Sequence, residues 1–491
     1  MSSPVQIPFQ SFIQLKKNDG IAVYLQIVFE FIKAIQMGLL PEGTKLPGTR
    51  VLCGLLNVNR NTLIKAFDDL QLQGFIKILP NKGTFILSNQ KQIKEAKSVG
   101  GISKSFSFKH SLILEDPVET SNLPYQFNDG LPDLRLVQTD ILARLYVSRL
   151  KRKKNGISWK QLQSQSHTEF KNHFSNFLNV TRGLRIASSN ILTTSSHEVA
   201  LFLVSKLLIS QGDKVVVALP SYYSANMTLL DSGAQIITIP VDEEGIATKA
   251  LKKVCEENTI RALYLTSNYH YPTTNCLSAK RRMEILALAG VYNFVVIEDD
   301  YDYDFHYDNN PILPLSAVNP NANVVYIGSF ARSLPSGFGY GFITAPADFI
   351  AELEKHQRIL EPGIDVIKEQ VLTHWLEDGE VHRLAKKNKK IYRERRDDFV
   401  DLLNKKLGTS IKFEIPARGL AVWVEWLDDF SLIKLKQECA KGGLFLPKTI
   451  LYQTKNLRAI RLGFGHLDRN EMENAIDILQ KSLKRVLILS T

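Results

Sequence analysis

Apolar and polar positions follow two different periods along this chain. Between residues 21 and 37, Ile21, Tyr24, Leu25, Val28, Phe31, Ile32 and Ile35 recur at the three-and-four spacing of one helix face, and Gly38 is expected to stop the helix. A second, short helix is predicted from Thr49, read as its cap, to Leu56. Asn57-Val58-Asn59 reads as a tight turn, and a third helix follows from near Asn59 to about Gln73, closed by Gly74. Two short apolar runs, Phe75–Leu79 and Thr84–Leu87, flank Pro80-Asn81-Lys82-Gly83 and read as a hairpin. Past residue 126 the pattern changes to apolar runs alternating with helical segments. The runs are Lys214–Ala218, Gln235–Ile239, Ile260–Leu265, Phe294–Ile297 and Val324–Ile327, with helices such as Val199–Leu208 and Ala279–Leu288 between them. Runs apolar on both faces, spaced by helices, predict a mostly parallel sheet covered on both sides. In the last third, Ile411–Glu414, Ala421–Trp426 and Arg458–Phe464 alternate with helices, which predicts a smaller α+β subdomain.

Three helices followed by a hairpin make a winged helix-turn-helix. The expected division is a head over residues 1–87, a tether over 88–126 and a body over 127–491. Within the body, a large subdomain is expected at about 165–370, and a small one at about 371–491 joined by 127–164. The tether is rich in Lys, Ser, Gly and Gln, with Gly100-Gly101 at its centre and Phe106 and Phe108 alternating with polar residues.

Composition adds three points. With 491 residues the length prior gives about three folding units, and 44% hydrophobic residues suffice for sizeable cores. Lys+Arg 61 against Asp+Glu 50 leaves a formal charge of +11, which favours polyanionic partners without establishing one. Cys53, Cys255, Cys276 and Cys439 are scattered without metal-ligand spacing and read as free thiols in a reducing compartment. No leader and no apolar run of roughly 18 residues is seen, so a cytoplasmic, membrane-free location is expected.

The head resembles the GntR group of bacterial regulators. The resemblance rests on Leu46-Pro47-x-x-Arg50, Asn59-Arg60-Asn61-Thr62, Leu70-x-x-x-Gly74 and Gly83-Thr84-Phe85. It implies a double-stranded DNA partner. Helix-turn-helix geometry lays the third helix in the major groove with its first residues at the base edges. Arg60, Asn61 and Thr62 are therefore expected at or near bases, with Lys65 on the same helix among the DNA-binding residues. Arg50 is expected at a phosphate, and Lys77 and Lys82 on the wing.

The body resembles the fold-type I, pyridoxal-phosphate-dependent aminotransferases, in the form fused to a winged helix in MocR/GabR-like regulators. Gly328 to Pro346 aligns without a gap with the family's cofactor-lysine segment, and the strand Val324–Ile327 is expected to break at Gly328-Ser329. Arg332 stands where the lysine belongs, and Gly339 where a phosphate-binding arginine belongs. A Schiff base needs an amine that loses its proton; a guanidinium stays charged, so covalent attachment at 332 is not expected and no catalytic residue is assigned. Phe127–Asp133 resembles the family's opening signature, whereas its Gly-Asp-Pro-x-Gly loop is not recognisable around Trp159–Glu169.

By resemblance, pyridoxal 5′-phosphate would meet Ser195 and Ser196 in Thr194–His197, Tyr222 at its ring, Asp299 at its ring nitrogen, Tyr301 at its ring hydroxyl, and Ser329. Arg461 would clamp a substrate carboxylate. Tyr271–Thr274 stands where the family prefers Pro-Thr-Gly. Asp300-x-Asp302-x-Asp304 lacks the glycine and glutamate of a calcium loop, since Phe305 and Pro311 stand there, and no metal is expected. The resemblance implies a homodimeric DNA-binding transcriptional regulator whose degenerate aminotransferase-like body senses an amino acid or vitamin B6 compound. The alternative is a working aminotransferase with an attached DNA-binding head, which requires a different lysine; Lys448 is no match for it.

Overall fold

The computed structural model describes residues 9, 13, 15, 22–36, 39–80, 82–87, 111, 113–114, 119–137, 139–151, 158–307, 312–319, 323–330, 332, 334, 338–363, 365–454 and 457–488. The chain divides into two compact units, Met1–Lys109 and His110–Thr491.

In the first unit α1 (Val23–Gln36), α2 (Thr49–Leu56) and α3 (Arg60–Leu72) are followed by the antiparallel hairpin β1 (Ile76–Leu79) and β2 (Gly83–Ile86), paired Ile76 to Ile86 and Leu79 to Gly83. The apolar stripe of α3, Leu63, Ala66, Phe67 and Leu70, is fully buried against Val28, Phe31 and Leu52. Thr49 is not the cap expected of it. Gly48 precedes the first turn, without a side-chain cap, and Thr49 is already helical. Asn57 ends α2 at φ 52, a conformation asparagine tolerates, and Asn59 caps α3 by accepting from the Asn61 amide at 3.0 Å. Ile21, Met37, Gly38 and Asn81 lie outside the described residues, as do residues 88–110, 112 and 115–118 of the expected tether. Glu119, within the tether's expected bounds, is tied to the second unit by Lys436 at 2.8 Å and the Lys448 amide at 2.7 Å.

The second unit opens with β3 (Tyr125–Gln126), α4 (Thr139–Lys151) and α5 (Trp159–Arg182). An eight-stranded sheet follows. Its strands are β4 (Ile191–Thr194), β5 (Lys214–Leu219), β6 (Gln235–Asp242), β7 (Gly245–Ile246), β8 (Ala262–Leu265), β9 (Val295–Asp300), β10 (Val324–Phe330) and β11 (Tyr340–Thr344), in the order β4-β11-β10-β9-β8-β5-β6-β7. Strands β10, β9, β8, β5 and β6 run parallel, whereas β11 is antiparallel to both its neighbours and β7 to β6. Helices α6 (His197–Leu208), α7 (Tyr223–Asp231), α8 (Thr248–Glu257), α9 (Ala279–Tyr292) and α10 (Leu315–Val318) lie between the strands. Successive residues of β5 enter opposite cores: Val215 and Val217 one, Val216 and Ala218 the other. That is why the strand reads as continuously apolar.

Helices α11 (Ala347–Leu360), α12 (Val366–Glu377) and α13 (Glu380–Leu407) lead to a four-stranded antiparallel sheet, β12 (Ile411–Phe413), β13 (Ala421–Trp426), β15 (Leu451–Gln453) and β16 (Arg458–Gly463), in the order β12-β13-β16-β15. α14 (Leu432–Lys441), β14 (Leu444–Phe445), which pairs with β3, and α15 (Arg469–Ile488) complete it. Of the 127–164 segment assigned to this subdomain, Phe127 packs in its core, whereas Leu142 of α4 packs with Phe170, Phe174 and Trp375 of α5 and α12.

Strand β10 does not break at Gly328-Ser329. Both residues pair with β11, opposite Phe342 and Gly341, and the strand ends at Phe330. A side chain at Gly328 would stand 2.5 Å from the Phe342 ring and 2.8 Å from the Arg182 guanidinium, so the glycine leaves room for both. Ala331, Ser333 and residues 335–337 of the same stretch lie outside the described residues. The Trp159–Glu169 region, where the family's glycine loop is not recognisable, is the start of α5, fixed by a capping box of Ser158 and Gln161.

Candidate ligand pocket and DNA-binding head

In the head, Arg60 and Asn61 are exposed at the start of α3, with Thr62 half-buried behind them. Arg50, Lys77 and Lys82 are exposed on α2 and the hairpin. Lys65 is exposed too, but its ammonium lies 3.9 Å over the Tyr24 ring of α1, a contact internal to the head.

Most of the residues that the resemblance assigns to a ligand lie at the carboxyl ends of the sheet strands, where crossover sheets gather ligands, and this candidate pocket is described from them. Glu298–Tyr301 stand at the carboxyl end of β9. Glu298 is fully buried and accepts from Ser267 Oγ and from the amides of Leu315 and Ser316, so it caps α10; burial pushes its carboxyl upward. Asp299 Oδ2 accepts from Tyr264 OH at 2.6 Å and lies 3.0 Å from His197 Nε2. Its other oxygen, Oδ1, is buried and has no hydrogen-bond partner among the described residues. Burial opposes charge on His197, but the adjoining Asp299 carboxylate outweighs it and the imidazole pKa is raised. Asp300 accepts from Asn268 Nδ2 and Tyr326 OH, and Asp304 faces Arg182, so the three aspartates of the discounted calcium loop are each met by protein groups.

Arg461 is fully buried on β16. Its guanidinium donates to Asp129 Oδ1 at 2.8 Å, the Pro272 carbonyl at 2.9 Å and Tyr301 OH at 3.2 Å. Arg332 pairs with Asp302 and lies 5.4 Å from the Tyr301 ring centroid, with the Gly130 carbonyl at 3.4 Å. Burial pulls its pKa below the usual guanidinium value. Tyr222, half-buried, precedes α7 and meets Tyr271 edge-on at 4.7 Å. Ser329 lies within β10, its carbonyl taken by Arg182 at 3.1 Å.

At the start of α6, Ser196 caps the helix by accepting from the Val199 amide. The Ser195 amide donates to the Glu361 carboxylate, 3.1 Å to Oε1 and 3.4 Å to Oε2. Gln357 Nε2 holds Glu361 Oε2 at 3.1 Å while also donating to the Thr193 carbonyl of β4 at 2.6 Å. Close by, Lys368 donates to the Gly339 carbonyl at 2.9 Å and lies 3.5 Å over the Tyr340 ring. Burial pulls the Lys368 amine down to about 8, against the opposing pull of Asp365, Glu369 and Glu361.

Residues 144–479 match the profile of the aminotransferase class I and II family. The chain belongs to that family. Residues 23–86 match the profile of the bacterial regulatory proteins of the gntR family. An HTH-type transcriptional regulator of Bacillus subtilis, YdfD, is 25% identical over 97% of this chain and 99% of its own. The MocR protein of Rhizobium meliloti, described as a probable rhizopine catabolism regulatory protein, is 21% identical over 95% of each chain. A kynurenine aminotransferase from Pyrococcus horikoshii superposes with a TM-score of 0.65 at 22% identity, over 74% of this chain and 92% of that one, a likeness of fold. A gntR-type head on an aminotransferase-family body is the MocR-like composition, and the transcriptional-regulator reading is supported over that of an aminotransferase with an incidental head.

Membership of this family implies binding of pyridoxal phosphate. The Asp299 end of the site fits such a group: Asp299 Oδ1, without a hydrogen-bond partner among the described residues, suits a ring N–H. The other end fits less well. Arg332 offers no free amine, Gly339 no guanidinium, and the Ser195 amide already holds a carboxylate.

Sequence reasoning missed Glu361, Gln357 and Lys368, which carry no motif, and the pairing of Asp129 with Arg461, although Asp129 lies inside the opening signature. Among the described residues, one trio brings three ligand-type atoms within 4.8 Å of one another, Glu169, His173 and Glu377; it includes none of the pocket residues, and both glutamates are exposed. No helix of the described residues is long and apolar enough to cross a membrane.

Proposed function

We propose that this protein is a homodimeric, cytoplasmic transcriptional regulator whose body reports on an amino acid or vitamin B6 compound bound without a covalent bond. The head, residues 1–87, reads duplex DNA with Arg60, Asn61 and Thr62 near bases, and with Arg50, Lys77 and Lys82 at phosphates. The body, residues 127–491, holds the small molecule among Ser195, Ser196, Tyr222, Asp299, Tyr301 and Arg461. One observation supports the reading: a winged helix-turn-helix shares a chain with an aminotransferase-family body in which Arg332, the residue that the resemblance sets at the Schiff-base lysine position, pairs with Asp302. Dimerisation through the body would multiply the affinity of two heads for paired half-sites by effective concentration alone.

The test is selection of duplexes from a random library by the purified chain. Bound sequences should converge on paired half-sites, and Arg60→Ala should relax the base preference. Failure to enrich any sequence would contradict the reading.

A second reading, an active aminotransferase, is favoured by one feature. Lys368 is an amine brought down to about 8 beside Gly339, in the segment aligned with the family's cofactor site. An adduct on Lys368 that exchanges with added amino acids would mark that reading.

A further inference from the structure

The two ends of the pocket differ in what they leave open. At one end Asp299 Oδ1 is buried and without a hydrogen-bond partner among the described residues, so it suits a donor such as a protonated ring nitrogen. At the other end the Ser195 amide, at the start of α6, is occupied by Glu361, which Gln357 anchors to β4. The ends are joined through His197, which follows Ser195 by two residues and lies 3.0 Å from Asp299 Oδ2. A ligand reaching from Asp299 to the start of α6 would meet an acceptor at its ring and a carboxylate where an anion would dock.

The charges around Glu361 lean the same way. The Lys368 ammonium, held at the Gly339 carbonyl and over Tyr340, is within electrostatic range of Glu361 and also of Asp365 and Glu369. Glu369 is itself met by His167 Nδ1 at 2.7 Å, and a dianionic phosphate placed there would add two negative charges beside Glu361 and Asp365 with Lys368 as the nearby ammonium. A helix start ordinarily attracts an anion; here it already holds one from the same chain.

From this geometry we infer that the pocket selects an unphosphorylated, protonated nitrogen heterocycle over the phosphate ester of the same ring, and that Glu361 excludes the phosphate. The inference rests on the reading of the body as a noncovalent ligand pocket and names the ligand's chemical class. Pyridoxamine and pyridoxamine 5′-phosphate are the matched probes, since neither carries an aldehyde.

Calorimetric titration of the full chain with each probe tests it. The wild type should bind pyridoxamine about tenfold or more tightly than its phosphate. Glu361→Ala should bring the ratio to one or below it. Glu361→Gln, which keeps the shape and the Gln357 contact, should shift it the same way and guards against a folding defect in the alanine variant. Asp299→Asn should weaken both probes and leave their ratio unchanged. A wild type that binds the phosphate as tightly as the free amine, or glutamate variants with an unaltered ratio, would overturn the inference while leaving the pocket reading in place. Binding of neither probe would overturn both.

Discussion

Asp129 Oδ1 lies 2.8 Å from Arg461 Nε, so the guanidinium aligned with a substrate-carboxylate clamp already holds a carboxylate of its own chain. Arg461 is fully buried and Asp129 half-buried, and removing the acid leaves a buried charge without its counter-ion. Asp129→Ala is predicted to destabilise the body by about 2 kcal/mol, below the range for a fully buried pair because Asp129 keeps some water. Urea unfolding of the full chain measures it, and an unchanged midpoint would contradict the pairing.

His197 gives a pH dependence of definite sign. Its folded pKa is raised by Asp299 in spite of burial, with Glu198 helping and Arg332 opposing. A base raised on folding contributes stability that is fully present below its unfolded pKa, near 6.5, and lost as pH rises through the folded value. The stability advantage of wild type over His197→Asn should therefore be largest below about pH 6 and shrink above 6.5. Urea unfolding of both proteins across that window checks it. An advantage that grows with pH would reverse the assignment.

Two lysines of the head should behave differently. Lys82 is exposed on the hairpin, and Lys82→Ala should weaken binding to all duplexes and reduce the salt slope by about one. Lys65 lies over Tyr24, and Lys65→Ala should instead cost the head about 0.5–1 kcal/mol of stability with little change in the slope. Binding isotherms at several salt concentrations, with thermal unfolding of the same samples, separate the two.

Lys368 should be the amine that titrates early. Burial lowers it to about 8 although Asp365, Glu369 and Glu361 oppose the change. In competitive labelling with an acylating reagent, its reactivity should reach half its plateau near pH 8, whereas exposed lysines follow the ordinary value of about 10.4. A profile for Lys368 that matches the exposed lysines would contradict its burial against Tyr340.

The sequence made the two-part architecture legible because each part has its own period: the three-and-four stripe of α3 is buried as a face, and β5 is apolar throughout because both of its sides are covered. Glu298–Tyr301, Arg332 and Arg461 stand out in the sequence only through the family resemblance. Their partners do not stand out. Glu361 is 166 residues from Ser195, and it reads as an ordinary carboxylate after a helix. Lys368 reads as one more surface lysine, and only the packing of α12 brings it to Gly339. The end of β10 was misread because Gly328 and Ser329 look like a break, and their pairing with Phe342 and Gly341 depends on a strand that follows an intervening loop. Thr49 was misread as a cap because threonine favours that position, while Gly48 one residue earlier supplies the extended backbone.

Whether this body lacks a covalent handle is tested most directly by intact-mass spectrometry. The purified chain is incubated with pyridoxal phosphate, treated with borohydride and weighed, with DNA binding measured on the same sample. The predicted result is an unmodified chain that still binds its selected duplex. A lysine-linked adduct that forms in stoichiometric yield and is discharged by amino acids would contradict it.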